Sequence, residues 1–454
     1  MLKALVATIV ALAAAAPTSE IGLRDEPQAL PEGVWRISGY GIVLVAEERR
    51  LQIYHVSAAG CVRGERYSRD AFAAQFGVLE GASEAMAPTL VQGPTRYSLS
   101  RLQALPEMCR RPLRTRDPLT NFNVFAATFA ERYPSFQSRT VDWERTTADG
   151  RDRIASGEDL FQVMSAMVAP LRDDHVNIMA GERVFSYEGW VGPGPAPGGG
   201  GWSPAPLAAS LRDYLMGDET PLAAPARILA NRKVLLGRLD GDVGYLAIIG
   251  EGGWAQGLGE DAPVSAEVAA TAREMDLILA ELQGARGLII DLRLNVGGHD
   301  AVALEIASRF AAREQVVFTK DTPGDDTQPY PVILGPSQRA RFAAPVVLLT
   351  SRNTVSAGEV LALSMSALPQ VETMGQPTRG AFSDAIPQRL PNGWVYTLSV
   401  ETYRSADGTE LEKLGLQPDL KTPSPSDPAP SVLWGRDILA AADRLRTPHT
   451  ESGD

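Results

Sequence analysis

The residues best placed to do chemistry together fall in four separated segments. In TVSAGE (354–359), an apolar run ends, a short polar turn follows, and a helical pattern begins, so Ser356 stands at a helix start. Free backbone N–H groups and the positive end of the helix dipole converge at such a position. A serine there suits a nucleophile, because the amide of the next residue, Ala357, can help to hold an oxyanion. The same letters spell a capping box, with Ser356 capping and Glu359 reciprocating, and taken alone that reading accounts for the motif. In DLRLNVGGHD (291–300) a strand-like run ends on two glycines that permit close backbone approach and could offer a second N–H to the same oxyanion. A tight turn needing only glycine fits that segment equally. The chain has four histidines. His55 sits in a strand-like run and His449 in a polar tail, which leaves His175 in LRDDHVNI and His299 beside the glycine turn as general bases. Nothing in the residue types separates these two. Finally, DGTELEKLGLQPDL (407–420) supplies Glu410, Glu412 and Asp419, any of which can orient an imidazole or form a surface ion pair.

Other chemistries lack their residues. GxSxG, HExxH, CxxC, GxxxxGK[ST] and GxGxxG are all missing, so no metal, nucleotide or other cofactor is implied. A net charge of −12 argues against a nucleic-acid partner.

The elements that must position these residues follow from periodicity. Helical patterns at 266–283, 301–311 and 358–368 alternate with apolar strand patterns at 287–293 and 345–350, which predicts a layered α/β core over 236–448. Before it lie a Gly/Pro-rich connection (186–235), a helical unit (114–185) and a small β-rich unit (31–113). Lys3, the apolar run 4–16 and the small residues Ala14 and Ala16 predict a signal peptide over 1–16. A run of thirteen residues is too short to span a bilayer, so a periplasmic or secreted protein with no stable membrane insertion after cleavage is expected. Export favours a disulfide between Cys61 and Cys109, the two cysteines present.

Taken in order, ERYPSF…VDW (131–143), LRDDH (171–175), VGYLAI (243–248), LIIDLRLNVGG (288–298), VVLLTSRNTVSAGE (346–359) and DGTELEKLGLQPD (407–419) resemble the tricorn/C-terminal-processing-protease family of serine peptidases. The resemblance runs from about Asn121 to Arg446 and leaves 31–113 outside. It implies a crotonase-like catalytic core, Ser356 as nucleophile, and the amides of Gly298 and Ala357 as oxyanion donors. QPTRGAFSD (376–384) lacks the lysine of one branch, and LRDDH is similar to the histidine segment of the tricorn-like branch. That similarity points to His175 as base and to Glu412 as its acidic partner. Asp174 stands where tricorn has a serine. The 67 residues between His175 and Val243 are short for a peptide-binding PDZ module, which resembles the PDZ-less, retinoid-binding-protein-like members. The expected function is hydrolysis of peptide or protein substrates. Non-catalytic binding on the same fold and ester hydrolysis are the alternatives.

Overall fold

A computed structural model describes residues 30–79, 89–187, 204–258, 262–324, 327–422 and 430–446. The expected signal peptide and most of the Gly/Pro-rich segment 190–206 lie outside the described residues.

The alternating N-terminal sequence forms seven strands, β1 (Gly33–Ile37), β2 (Ile42–Ala46), β3 (Arg50–Ser57), β4 (Gly60–Ser68), β5 (Gly77–Leu79), β6 (Thr89–Gln92) and β7 (Thr95–Leu102). They make an antiparallel sheet in the order β4-β3-β2-β1-β7-β6-β5. Helix α1 (Arg69–Gln75) follows β4, and the single turn α2 (Glu107–Arg110) returns Cys109 to Cys61 of β4, where the two form a disulfide with Cα atoms 5.1 Å apart.

Three helices come next, α3 (Pro118–Arg132), α4 (Trp143–Ala155) and α5 (Leu160–Val168). Each is started by an aspartate, Asp117, Asp142 and Asp159, whose side chain accepts an otherwise unpaired amide of the first turn. Their apolar stripes, including Phe122, Phe125, Phe129 and Met164, pack against Trp35, Leu44 and Leu90 of the sheet. The β-rich and helical units therefore share one core. That core also takes in Tyr396 and Leu398 from a second sheet. This sheet has the order β18-β19-β8-β9 and consists of β8 (Asn177–Ala180), β9 (Arg183–Ser186), β18 (Ala385–Arg389) and β19 (Val395–Ser399).

The C-terminal half is built on β10 (Arg227–Leu229), β11 (Val234–Leu239), β12 (Val243–Ile248), β13 (Gly287–Asp291), β16 (Val346–Thr350), β17 (Val371–Gly375) and β21 (Leu420–Lys421), adjacent in that order. From β12 onward the pairing is parallel. One face carries α7 (Val264–Glu281), α8 (Asp300–Ser308) and α9 (Ala357–Ser366), packed on Leu288, Ile290, Val346 and Leu348. The other carries α6 (Pro204–Met216) and α10 (Pro430–Arg446), packed on Tyr245, Ile289, Val347 and Leu349. Burial on both faces explains why these strands read as unbroken apolar runs. A fourth sheet, β15-β14-β20, joins β14 (Gln315–Asp321), β15 (Tyr330–Leu334) and β20 (Thr402–Ser405) beside α8. Among the described residues no helix is long and apolar enough to cross a membrane.

The disulfide is directly checkable. Under non-reducing conditions, mass spectrometry of the folded protein should find Cys61 and Cys109 in one cross-linked peptide pair, and Cys61→Ser with Cys109→Ser should cost about 2–4 kcal/mol in denaturant unfolding. Two freely alkylating thiols in native protein would contradict the bond.

Candidate active site

The turns that follow β13, β16 and β17 lie side by side at the carboxyl ends of parallel strands, a place where α/β sheets commonly hold their sites. After β16 the chain is pinned to the β13 turn. Ser351 Oγ donates to the Arg293 carbonyl at 2.7 Å, Thr354 Oγ1 to that of Leu292 at 2.8 Å, and the Val355 amide to that of Asn295 at 3.0 Å. Ser356 then adopts φ 59°, ψ −129°. A helix N-cap normally has extended backbone, and a non-glycine residue here is strained by on the order of 1–3 kcal/mol. Its amide is fixed by two acceptors, the Ala381 carbonyl at 3.2 Å and Glu359 Oε2 at 3.3 Å. Glu359 thus reciprocates as the capping box predicts, and it does more. Its buried carboxylate also accepts from Thr378 Oγ1 (2.6 Å) and the amides of Gly380 (2.6 Å) and Ala381 (2.8 Å), gathering the loop after β17 around the serine. Burial pushes the Glu359 carboxyl up to about 7, against the pull of these donors.

The double-glycine turn presses on the same residue. Gly297 has φ 84°, and a Cβ there would lie 2.6 Å from Ser356 Cβ and 3.0 Å from the Ala357 amide nitrogen. A Cβ on Gly298 would lie 2.4 Å from the Glu251 carbonyl carbon. Both positions therefore require glycine. The Gly297 amide is spent on Asn295 Oδ1 at 2.9 Å, while exposed Gly298 lies between the bonded Gly297 and His299. Ala357 is the first residue of α9, so its amide has no acceptor within the helix. The structure thus brings Ser356, Ala357 and the Gly297–Gly298 turn together.

His175 reaches this neighbourhood through its preceding residues. Asp174 takes Arg379 in a two-toothed pair at 2.7 and 3.0 Å, and the Arg379 amide donates to the Thr354 carbonyl at 3.0 Å, two residues before Ser356. Buried Asp173 accepts from Tyr133 Oη (2.8 Å), Ser399 Oγ (3.0 Å) and the His175 amide (2.9 Å). The His175 carbonyl accepts from Thr397 Oγ1 at 2.7 Å, and the His175 Nδ1 is buried without a hydrogen-bond partner among the described residues. His299 is the residue before α8, and burial pushes its pKa down. Among the described residues neither imidazole hydrogen-bonds Ser356.

Glu412 is not brought onto an imidazole. Its buried carboxylate accepts from Arg139 Nη2 at 3.2 Å and from the amides of Phe382 (3.1 Å) and Ser383 (3.3 Å). Arg139 in turn donates to the carbonyls of Leu171 (2.7 Å) and Arg172 (2.9 Å), so Glu412 reaches the LRDDH segment through a guanidinium. Asp419 accepts from the Thr373 amide and hydroxyl at 2.9 and 2.8 Å, and Glu410 lies 3.6 Å from Arg404.

Several residues here went unread in the sequence. Buried Lys320 lies 3.2 Å from Glu401, 3.5 Å from Asp384 and 4.0 Å from Asp300, and it donates to Thr95 of β7. Burial alone would lower its pKa, but the Glu401, Asp384 and Asp300 carboxylates outweigh that and hold it cationic, so Lys320 is no general base. Burial alone would raise half-buried Asp384, but Lys320, 3.5 Å away, outweighs that and keeps its carboxyl below the ordinary range. These partners lie far apart along the chain, and no local pattern announces them.

Residues 242–422 match the model of peptidase family S41. Carboxy-terminal processing protease CtpA of Bacillus subtilis is 25% identical over 157 residues, covering 34% of this chain and 33% of that protein. The carboxy-terminal-processing protease of Bartonella bacilliformis is 23% identical over 252 residues, covering 54% of this chain and 52% of that protein. The chain thus spans about a third to a half of these relatives' length. A solved structure from Parabacteroides merdae, 24% identical, shares the fold at a TM-score of 0.57 over 75% of this chain and 100% of its own. The α/β part that carries Ser356, the double-glycine turn and Glu412 is the part of the chain that matches peptidase family S41.

Proposed function

We propose that this chain is an exported serine peptidase, built on a crotonase-like core, whose nucleophile is Ser356. The observation that carries the reading is the serine's strained conformation at the head of α9, fixed by Glu359 and flanked by the Gly297–Gly298 turn. Strain of this kind persists where a site needs a side chain presented in one direction. In the proposed reaction Ser356 Oγ attacks a peptide carbonyl while His175 takes its proton. The amides of Gly298 and Ala357 receive the charge that develops on the carbonyl oxygen. The imidazolium then protonates the leaving amine, and water, with its proton drawn by the imidazole, releases the acyl group.

His175 is preferred over His299 because Asp174 and Arg379 tie its segment to the Ser356 turn. Glu412 is a positioning residue in this scheme, acting through Arg139 on the backbone that carries His175. The substrate is a peptide or protein, and the names of the relatives point to cleavage near carboxy termini. A second reading, binding without catalysis, draws on the lack of a His175–Ser356 hydrogen bond among the described residues. A fluorophosphonate probe separates the two, because only an activated serine labels.

Ser356→Ala should abolish labelling and peptide hydrolysis, the latter by several orders of magnitude, while changing stability by no more than about 0.5–2 kcal/mol. A variant that lost stability yet kept turnover would make the serine a cap. His175→Ala should lower kcat/KM by about 10²–10⁴-fold and remove the loss of rate caused by protonating the base at low pH. His299→Ala should keep that titration, and the reverse pattern would reassign the base. Arg379→Gln should lower kcat about 10–100-fold with little change in KM, since a displacement of about 1 Å costs that much. An unchanged kcat would show that the Asp174–Arg379 pair does not place His175.

A further inference from the structure

Behind the glycine turn lies a carboxyl group that the reaction does not use. Glu251 is 0% exposed, and its Oε1 accepts from Asn295 Nδ2 at 2.6 Å while Oε2 is buried with no hydrogen-bond partner among the described residues. Among the described residues no Lys, Arg or His forms an ion pair with it. Asn295 is equally buried and spends its other atoms on the site. Its Oδ1 accepts the Gly297 amide at 2.9 Å, and its carbonyl accepts the Val355 amide at 3.0 Å. It also packs so closely under α9 that a Cβ on Gly358 would lie 2.4 Å from Oδ1. The Glu251 backbone brackets Gly298 from the same side, its amide donating to the Gly297 carbonyl at 2.9 Å and its carbonyl accepting from the His299 amide at 3.0 Å.

We propose that Glu251 is a positioning residue: as a neutral acid it holds Asn295, and through Asn295 the Gly297–Gly298 turn, against Ser356, and on ionising it is drawn toward water, because the dry site disfavours the charge more than the Asn295 bond favours it, and so releases that turn. The inference rests on the oxyanion role given to that turn in the proposed function. The physical ground is that a buried carboxylate without a cation or a full set of donors is strongly disfavoured against its neutral form. Burial raises the Glu251 carboxyl to about 8, with the Asn295 hydrogen bond opposing, Asp300 of α8 adding to the rise and Lys233 before β11 opposing it. The other titratable neighbours are His299, bonded to its carbonyl, and Glu267 of α7, whose carboxylate accepts the Trp254 and Ala255 amides at 2.7 and 3.2 Å. Between the ordinary carboxylate range and about 8, the folded chain keeps a proton at Glu251 that the unfolded chain has lost. Stability therefore declines as pH rises through that window.

The test combines the rate of fluorophosphonate labelling with unfolding of the inactive Ser356→Ala protein, both as functions of pH. Wild-type labelling should fall about tenfold from pH 7 to pH 9, the drop in the neutral fraction of one such acid. Glu251→Ala should lose about 100-fold at pH 7. Glu251→Gln, which mimics the neutral acid, should recover most of that loss and label at a rate independent of pH over the same range. In the Ser356→Ala background, Glu251→Gln should remove part of the alkaline loss of stability. The proposal is overturned if Glu251→Gln is as defective as Glu251→Ala at pH 7, or if it keeps the wild-type alkaline fall. Absence of labelling at every pH would instead sink the nucleophile assignment, and the unfolding arm would still decide whether Glu251 is neutral. Should Glu251→Gln not fold, a wild-type carbon-13 titration decides, and a Glu251 carboxyl already ionised at pH 7 overturns the proposal.

Discussion

A serine held at φ 59°, ψ −129° will relax unless its surroundings forbid it, and here the buried Glu359 carboxylate supplies most of that constraint. One side chain accepts from the amides of Ser356, Gly380 and Ala381 and from the Thr378 hydroxyl. Removing it would leave the Gly380 and Ala381 amides and the Thr378 hydroxyl without their acceptor in a dry interior, each costing about 1–3 kcal/mol, and the Ser356 amide with the Ala381 carbonyl alone. The strained turn, the loop after β17 and the start of α9 are therefore a single unit. Gly297 is required because this unit leaves no room for a Cβ, and Gly298 because the Glu251–Gly252 backbone leaves none.

Two guanidinium groups extend the constraint to the helical unit. Arg379 carries it from the loop to Asp174, and Arg139 carries it from Glu412 to Asp173 and to the carbonyls of Leu171 and Arg172. A third buried cation, Lys320, ties the N-terminal sheet to the same region through Thr95, while Tyr40 donates to Glu401 at 2.6 Å. Buried ion clusters contribute little net stability against apolar packing, but removing one member leaves an uncompensated charge. Their effect here is to fix geometry between segments that lie up to 361 residues apart. The family match begins at residue 242, yet the N-terminal sheet supplies side chains to this cluster and shares its core with the helices.

What was legible in the sequence was local. Apolar runs such as VVLLT read as strands buried on both faces, and the helical periods of 266–283 and 358–368 fall on α7 and α9. The Ser-x-x-Glu spacing announced a helix start, but it could not reveal that the serine would leave the extended region, since that follows from the Ala381 carbonyl and the Gly297 contact. The family resemblance singles out Glu412 by its place before LGLQPD, whereas its link to the LRDDH segment, through Arg139, joins positions 273 residues apart. Asp384, Lys320 and Glu251 were invisible for the same reason: a buried charge or acid is defined by partners brought in by the fold. Likewise, the β-rich unit's periodicity predicted its strands and gave no sign that its inner face would share a core with the following helices.

The central claim is that Ser356 attacks a carbonyl whose oxygen is received by the Gly298 and Ala357 amides while His175 serves as base. A crystal structure of the protein with a peptidyl boronate bonded to Ser356 tests it most directly. The account predicts one boronate oxygen within hydrogen-bond distance, about 2.7–3.1 Å, of both amide nitrogens, with the His175 ring turned to the serine oxygen. An oxygen directed away from the double-glycine turn, or His299 in place of His175 beside the adduct, would contradict it.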